Sequence, residues 1–223
     1  MFAEFYTSRL SGTTLEKLEG VLEKKITVLS RSEVESGDVI LKAAETGKTG
    51  FLVPGDPLIS TTHIALRIDA KQRGIETRVV HNTSINSAAP GLSGLFNYKF
   101  GASSSIPFPS EGYRPDSFYH VASENKKRGL HTLLFLDIKD RLMTVNEALK
   151  ILLDIERDKG LNVARNDSIV VGLGCVGSET PVFIAGRIND LISRDFGPVP
   201  HVLIMPGELH FMEEEYLKEF GGL

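Results

Sequence analysis

The sequence predicts an α/β protein built as two α/β domains. Three observations lead there. Strand-like apolar runs alternate with helix-period segments along most of the chain. No internal repeat or low-complexity tract breaks the alternation. One soft zone divides it, residues 101–117, which hold Gly101, Ser103 to Ser105, Pro107, Pro109, Ser110, Gly112 and Pro115. The expected domains are therefore 1–101 and 102–223.

The elements follow in order. Residues 15–23 read as a short helix, 26–29 as a strand, 34–46 as a helix and 51–53 as a strand. The turn Pro54-Gly55-Asp56-Pro57 leads into a helix over 61–73 and a strand over 77–81, in the rhythm of parallel βαβ units. After the soft zone come a helix near 117–128 and a strand at 133–136. A helix over 144–158 has Thr144 as N-cap and Glu147 at capping-box spacing. Strands are expected at 168–172, 182–185 and 202–205, and a short helix after Phe211. In that helix Glu213-Glu214-Glu215 would form the solvated first turn, where acidic side chains suit the helix dipole.

Composition narrows the function. The chain has 223 residues, and a hydrophobic content of 41% is enough to fill a core and argues against disorder. A formal charge of −4 argues against general nucleic-acid binding, which favours a basic face. Cys175 is the single cysteine, so these residues can form neither an internal disulfide nor a thiol-based zinc site, and a reducing cytoplasm fits. No apolar run reaches the ~18 residues that span a bilayer. The start, Met1-Phe2-Ala3-Glu4-Phe5-Tyr6, lacks the basic and apolar regions of a signal peptide. None of the histidines, His63, His81, His120, His131, His201 and His210, has metal-ligand spacing to another histidine or to Cys175, so no metal is expected.

The most informative segment is Val53-Pro54-Gly55-Asp56-Pro57-Leu58, at the carboxyl end of an expected parallel strand, where open α/β sheets place ligands. Gly55 lets backbone approach a ligand, and Asp56 offers a carboxylate to a ribose or an ammonium. The plain alternative is a strand-to-helix turn with Asp56 as cap. In Thr61-Thr62-His63, hydroxyls and an imidazole near a helix start are open to the same two readings. Gly172-Leu173-Gly174-Cys175-Val176-Gly177 matches G-x-G-x-x-G, but Ser178-Glu179-Thr180-Pro181 and a β-prone run follow it where a dinucleotide fold needs a helix. It reads as a glycine loop lining a ligand site. His201 leads a strand and should lie near a sheet edge, in a structural or a site role. Cys175 reads as packing.

Several segments together resemble the diphthine synthase family, part of the wider group of tetrapyrrole-methylase-like methyltransferases. They are Phe2-Ala3-Glu4-Phe5-Tyr6-Thr7-Ser8, Pro54-Gly55-Asp56-Pro57 with Thr61-Thr62-His63, Val80-His81-Asn82-Thr83-Ser84-Ile85, Tyr98-Lys99-Phe100-Gly101, Tyr113-Arg114-Pro115-Asp116-Ser117-Phe118, and Gly129-Leu130-His131-Thr132-Leu133-Leu134-Phe135-Leu136-Asp137-Ile138-Lys139. The resemblance runs from end to end, and its most specific part is Leu130-His131-Thr132-Leu133 with Leu136-Asp137-Ile138-Lys139. It implies a cytoplasmic homodimer of two-domain subunits, with S-adenosyl-L-methionine in the cleft between the domains and S-adenosyl-L-homocysteine as product. The implied cofactor contacts are Asp56, Ile59, Ser84, Ile85, Leu136, Val176 and His201.

The implied reaction methylates the amino group of a 3-amino-3-carboxypropyl-histidine on elongation factor 2, giving diphthine in diphthamide biosynthesis. The sulfonium is already electrophilic, so the chemistry needs alignment and exclusion of water rather than a metal. No proton-transfer residue is identified at this level. The short link from Asp137-Ile138-Lys139 to Met143-Thr144-Val145-Asn146 resembles archaeal forms, which implies three methyl transfers to nitrogen. The chain departs from the family pattern in one respect: members usually begin earlier, with a strand and a Gly-x-Gly-Leu loop that have no counterpart here. Residues 51–53 are therefore expected beside a gap in the first sheet. Two rival readings stand beside this one, a non-catalytic or weakly cofactor-binding copy and a methylase of tetrapyrrole precursors.

Overall fold

A computed structural model describes residues 1–9 and 12–223. They form two compact units, Met1–Ser84 and Ile85–Leu223. The first contains β1 (Phe2–Ala3), α1 (Leu15–Leu22), β2 (Thr27–Val28), α2 (Arg31–Ser36), α3 (Asp38–Thr46), β3 (Phe51–Leu52) and α4 (Ile64–Gln72). Its parallel sheet has the order β2-β1-β3. The opening segment thus supplies the central strand. Phe2 N donates to Gly50 O at 2.8 Å and Leu29 N to Ala3 O at 2.8 Å. This corrects the expected gap on one side: β3 pairs with β1. Its other side carries no strand among the described residues. Leu29, Val34 and Ile40 are buried beneath Phe2, Phe51 and Leu66, and form the core of this unit.

Two expectations change here. Residues 77–81 are not a strand. Val80 is 73% exposed, so the run has no apolar face to bury, and β propensity without packing does not build a ladder. The helix expected over 34–46 is two helices that meet at Gly37. At φ 69° Gly37 ends α2, donating to Glu33 O and Val34 O, and starts α3. A capping box of Ser30 with Glu33 begins α2 upstream of the expected start.

The second unit holds α5 (Ile85–Ser93), β4 (Ser104–Ile106), α6 (Ser117–Lys127), β5 (Thr132–Leu136), α7 (Val145–Lys159), β6 (Ile169–Gly174), β7 (Val182–Arg187), α8 (Ile188–Leu191), β8 (His201–Met205) and α9 (Phe211–Gly221). The sheet order is β4-β5-β8-β6-β7, and only β4 and β5 are parallel. The parallel βαβ rhythm therefore describes the first unit better than the second. Both faces of this sheet are covered. In β8, Leu203 and Met205 join the core formed with Phe118, Leu149 and Leu152, while Val202 and Ile204 join Ala89, Leu95 and Leu217 on the opposite face. Burial of alternate residues on two faces is why these strands read as unbroken apolar runs.

The division falls at Ser84 and Ile85, ahead of the Gly101 expected from composition. The reason is α5, whose Ala89, with Leu95 after it, packs on the second unit's sheet. Pro90 and Gly91 hide this helix in the sequence. The soft zone also supplies β4 to the same sheet. α7 starts as expected, with Thr144 Oγ1 accepting from Glu147 N and Glu147 Oε2 from Thr144 N.

Candidate functional site

In the first unit all three strands run the same way, so Glu4, Leu29 and the loop Val53 to Asp56 emerge at one end of the sheet. Gly55 has φ 83°, a left-handed conformation that side chains rarely adopt. The turn it makes carries Asp56 inward, to 7% exposure. Asp56 Oδ1 accepts from Leu58 N at 3.0 Å, and Oδ2 accepts from His81 Nδ1 at 2.8 Å and Asn82 N at 3.4 Å. The Leu58 N–H chiefly, with His81 and Asn82, outweighs the effect of burial and holds this carboxyl below its ordinary range. Both sequence readings of Asp56 survive, because it does cap its turn. A carboxylate has about four acceptor sites, so room remains for a further donor from a ligand. Ile59, 46% exposed, lies on the same loop, and Ser84 is the partly buried residue before α5.

A second polar group gathers at the same sheet end. Glu4 is fully buried and accepts from Tyr6 N at 2.8 Å, Thr7 N at 3.0 Å and Thr7 Oγ1. His63, also buried, lies 3.3 Å from the Tyr6 hydroxyl through Nε2 and 3.3 Å from Pro57 O through Nδ1. Thr61 Oγ1 is buried with no hydrogen-bond partner among the described residues. A buried hydroxyl without a partner is costly, and it invites a polar ligand atom. The sequence marks Thr61-Thr62-His63 as a candidate site segment, and Glu4 and Tyr6 only as part of a family-like segment far from it in the chain.

In the second unit, Leu136, Val176 and His201 come to one end of the sheet, because β5 and β6 end where β8 begins. Ile85 opens α5 and packs against the core on one face. β8 is the middle strand, so His201 sits at the end of a central strand and not at a sheet edge. Its Nδ1 accepts from Val145 N at 3.3 Å, so Nε2 carries the hydrogen that reaches Gly197 O at 3.2 Å. Burial lowers its pKa, against the nearby carbonyls. The glycine loop has a packing explanation in part. A Cβ on Gly174 would stand 2.5 Å from Phe196 O, whereas Gly177 faces open space at φ 91°. β7 follows as a strand, so no helix stands where a dinucleotide fold needs one.

One prominent network lies at the opposite end of this sheet. Glu213 is fully buried, which corrects its reading as part of a solvated turn; Glu214 and Glu215 are exposed. Its carboxylate accepts from Phe96 N at 2.7 Å, Lys99 Nζ at 2.6 Å, His210 N at 2.8 Å and His131 Nε2 at 3.0 Å. Burial works to raise its pKa, but the Lys99 ammonium and the three N–H donors hold it at about 2. The Tyr-Lys-Phe-Gly and Leu-His-Thr-Leu segments thus meet at one carboxylate. They lock the second unit rather than contribute to its other end.

Comparison with known proteins defines the class first. Residues 7–166 match the family of Tetrapyrrole (Corrin/Porphyrin) Methylases, and the chain is a methyltransferase. It is 48% identical over 224 residues to a diphthine synthase of Methanocaldococcus jannaschii, covering 98% of this chain and 87% of that one. A diphthine synthase of Methanoregula boonei is likewise 48% identical, over 225 residues, covering 100% and 88%. A crystal structure of a diphthine synthase superposes with a TM-score of 0.89 at 34% identity, over 99% of this chain and 84% of that one. The chain belongs to the diphthine synthase family.

Proposed function

We propose that the protein transfers methyl groups from S-adenosyl-L-methionine to the amino group of the 3-amino-3-carboxypropyl-histidine of elongation factor 2. Three transfers give diphthine, the step named for its relatives. The observation that carries this reading is the 48% identity to a diphthine synthase across nearly the whole chain. We further propose a cytoplasmic homodimer; no helix of the described residues is long and apolar enough to cross a membrane.

The residues present fit the cofactor. Asp56 keeps an acceptor site free in an inward-facing turn, Gly55 exposes backbone, and Thr61 Oγ1 awaits a partner. Asp56, Ile59 and Ser84 are the proposed contacts from the first unit, and Ile85, Leu136, Val176 and His201 those from the second. When bound, the cofactor supplies an already electrophilic methyl group on a sulfonium. The chain has then to orient the acceptor nitrogen, keep water away and remove the acceptor's proton. Calorimetry tests the cofactor assignment. Saturable binding of S-adenosyl-L-methionine and S-adenosyl-L-homocysteine is expected, with none of NAD. Saturable binding of NAD alone would reverse it.

A further inference from the structure

We propose that Tyr6 is the catalytic residue that takes the proton from the acceptor amine, with His63 and Glu4 as the positioning residues behind it; this rests on the methyl-transfer reading above.

The hydrogen-bond directions set the order. Pro57 O can only accept, so the His63 Nδ1 at 3.3 Å carries the hydrogen. Nε2 is then bare and accepts from the Tyr6 hydroxyl at 3.3 Å. A hydroxyl that donates inward keeps its lone pairs for a proton arriving from outside. Glu4 Oε1 lies 4.0 Å from the same Nε2, and its carboxylate is met by three donors from Tyr6 and Thr7. A positive charge arriving on His63 would therefore face an anion held in place.

Burial follows the same order. Glu4 is 0% exposed and His63 6%, while Tyr6 is only partly buried. Edge-on contacts with Tyr6 and Phe51, at 6.2 Å and 5.4 Å between ring centroids, fix the imidazole plane. Pro57, which orients the imidazole, directly follows Asp56, so the proton path and a proposed cofactor contact share one loop. The charged groups acting on Tyr6 are Glu4, Glu35 and Arg31, whose guanidinium stands 5.3 Å over the ring. Burial and the two glutamates raise the phenol's pKa despite Arg31, which disfavours a lasting tyrosinate and suits a hydroxyl that passes one proton on as it takes another.

The step balances. The acceptor is protonated as an ammonium, and one N–H proton moves to Tyr6 Oη while the Tyr6 O–H proton moves to His63 Nε2. The freed lone pair on nitrogen forms the N–CH3 bond as the S–CH3 bond breaks and its electron pair stays on sulfur. His63 is left as an imidazolium beside Glu4 and returns its proton to water before the next transfer.

The test compares the enzyme with its Tyr6→Phe and His63→Gln variants, with elongation factor 2 carrying the aminocarboxypropyl-histidine as acceptor. General-base catalysis contributes about 10²–10⁴-fold, so Tyr6→Phe is expected to lower kcat at least about a hundredfold near pH 7. S-adenosyl-L-homocysteine affinity should be unchanged, and the deficit should shrink as pH rises and hydroxide deprotonates the acceptor ammonium unaided. Nitrogen NMR of the free enzyme should show His63 as the Nδ1–H tautomer. A Tyr6→Phe variant that matches the unsubstituted enzyme, or one slowed equally at every pH, overturns the relay. No transfer by the unsubstituted enzyme overturns the function reading, and the relay with it.

Discussion

Glu213→Ala is expected to destabilise the second unit by about 3–5 kcal/mol, the cost of removing one partner from a buried charge pair. The substitution removes the counter-ion of the Lys99 ammonium, whose side chain is 21% exposed and keeps its bond to Glu208 O, and leaves the N–H groups of Phe96, His210 and His131 without their acceptor. The loss is a large share of the ~5–15 kcal/mol that holds an ordinary domain together. Urea unfolding of the variant at neutral pH measures it, and a loss below about 1 kcal/mol would show that the network adds little. The acid limb gives the sign independently. Glu213 is held at about 2 against an ordinary 4.5, so its contribution is complete above pH 4.5 and is lost as pH falls towards 2. That window is worth about 3 kcal/mol. His131 and His201 are both lowered by burial from an ordinary 6.5, so they too favour folding at higher pH and begin to oppose it as pH falls below 6.5. Glu213→Gln should flatten the part of the curve below 4.5 and leave the His201 part, while the His131 part should steepen, because the carboxylate that opposed the lowering by burial is gone.

Asp56→Ala is expected to weaken S-adenosyl-L-homocysteine binding by at least about tenfold, the scale of one hydrogen bond to a charged group. The loss has two sources. The carboxylate is the proposed acceptor for the ligand, and it also ties Leu58, His81 and Asn82 to one point. Asp56→Asn separates them: the amide oxygen can keep the Leu58 turn while the charge is lost, so its affinity should fall between the two. Calorimetry on all three proteins is the measurement. Equal affinity in Asp56→Ala with normal folding would remove Asp56 from the site.

Much of this was legible because local chemistry and final environment agree. The Thr144 and Glu147 spacing forms its capping box, and the run Leu133-Leu134-Phe135-Leu136 forms a strand covered on both faces. Val53 to Pro57 forms a turn at a strand's carboxyl end. What stayed hidden depended on partners distant in the chain. Glu213 looks like its neighbours Glu214 and Glu215, and only the arrival of Lys99 and His131 makes it a buried anion. Glu4 and Tyr6 carry no local sign of His63. α5 was obscured by Pro90, and 77–81 has strand chemistry without a face to bury. The motif that picked out Asp56 did not show His81 as its partner, because spacing along the chain says nothing about which imidazole folds back.

The reaction itself is tested most directly by supplying methyl-labelled S-adenosyl-L-methionine with either elongation factor 2 bearing the aminocarboxypropyl-histidine or a tetrapyrrole precursor. Label is expected on the elongation factor, with mass spectrometry placing three methyl groups on the modified histidine's amino nitrogen. Label on the tetrapyrrole and none on the elongation factor would contradict it.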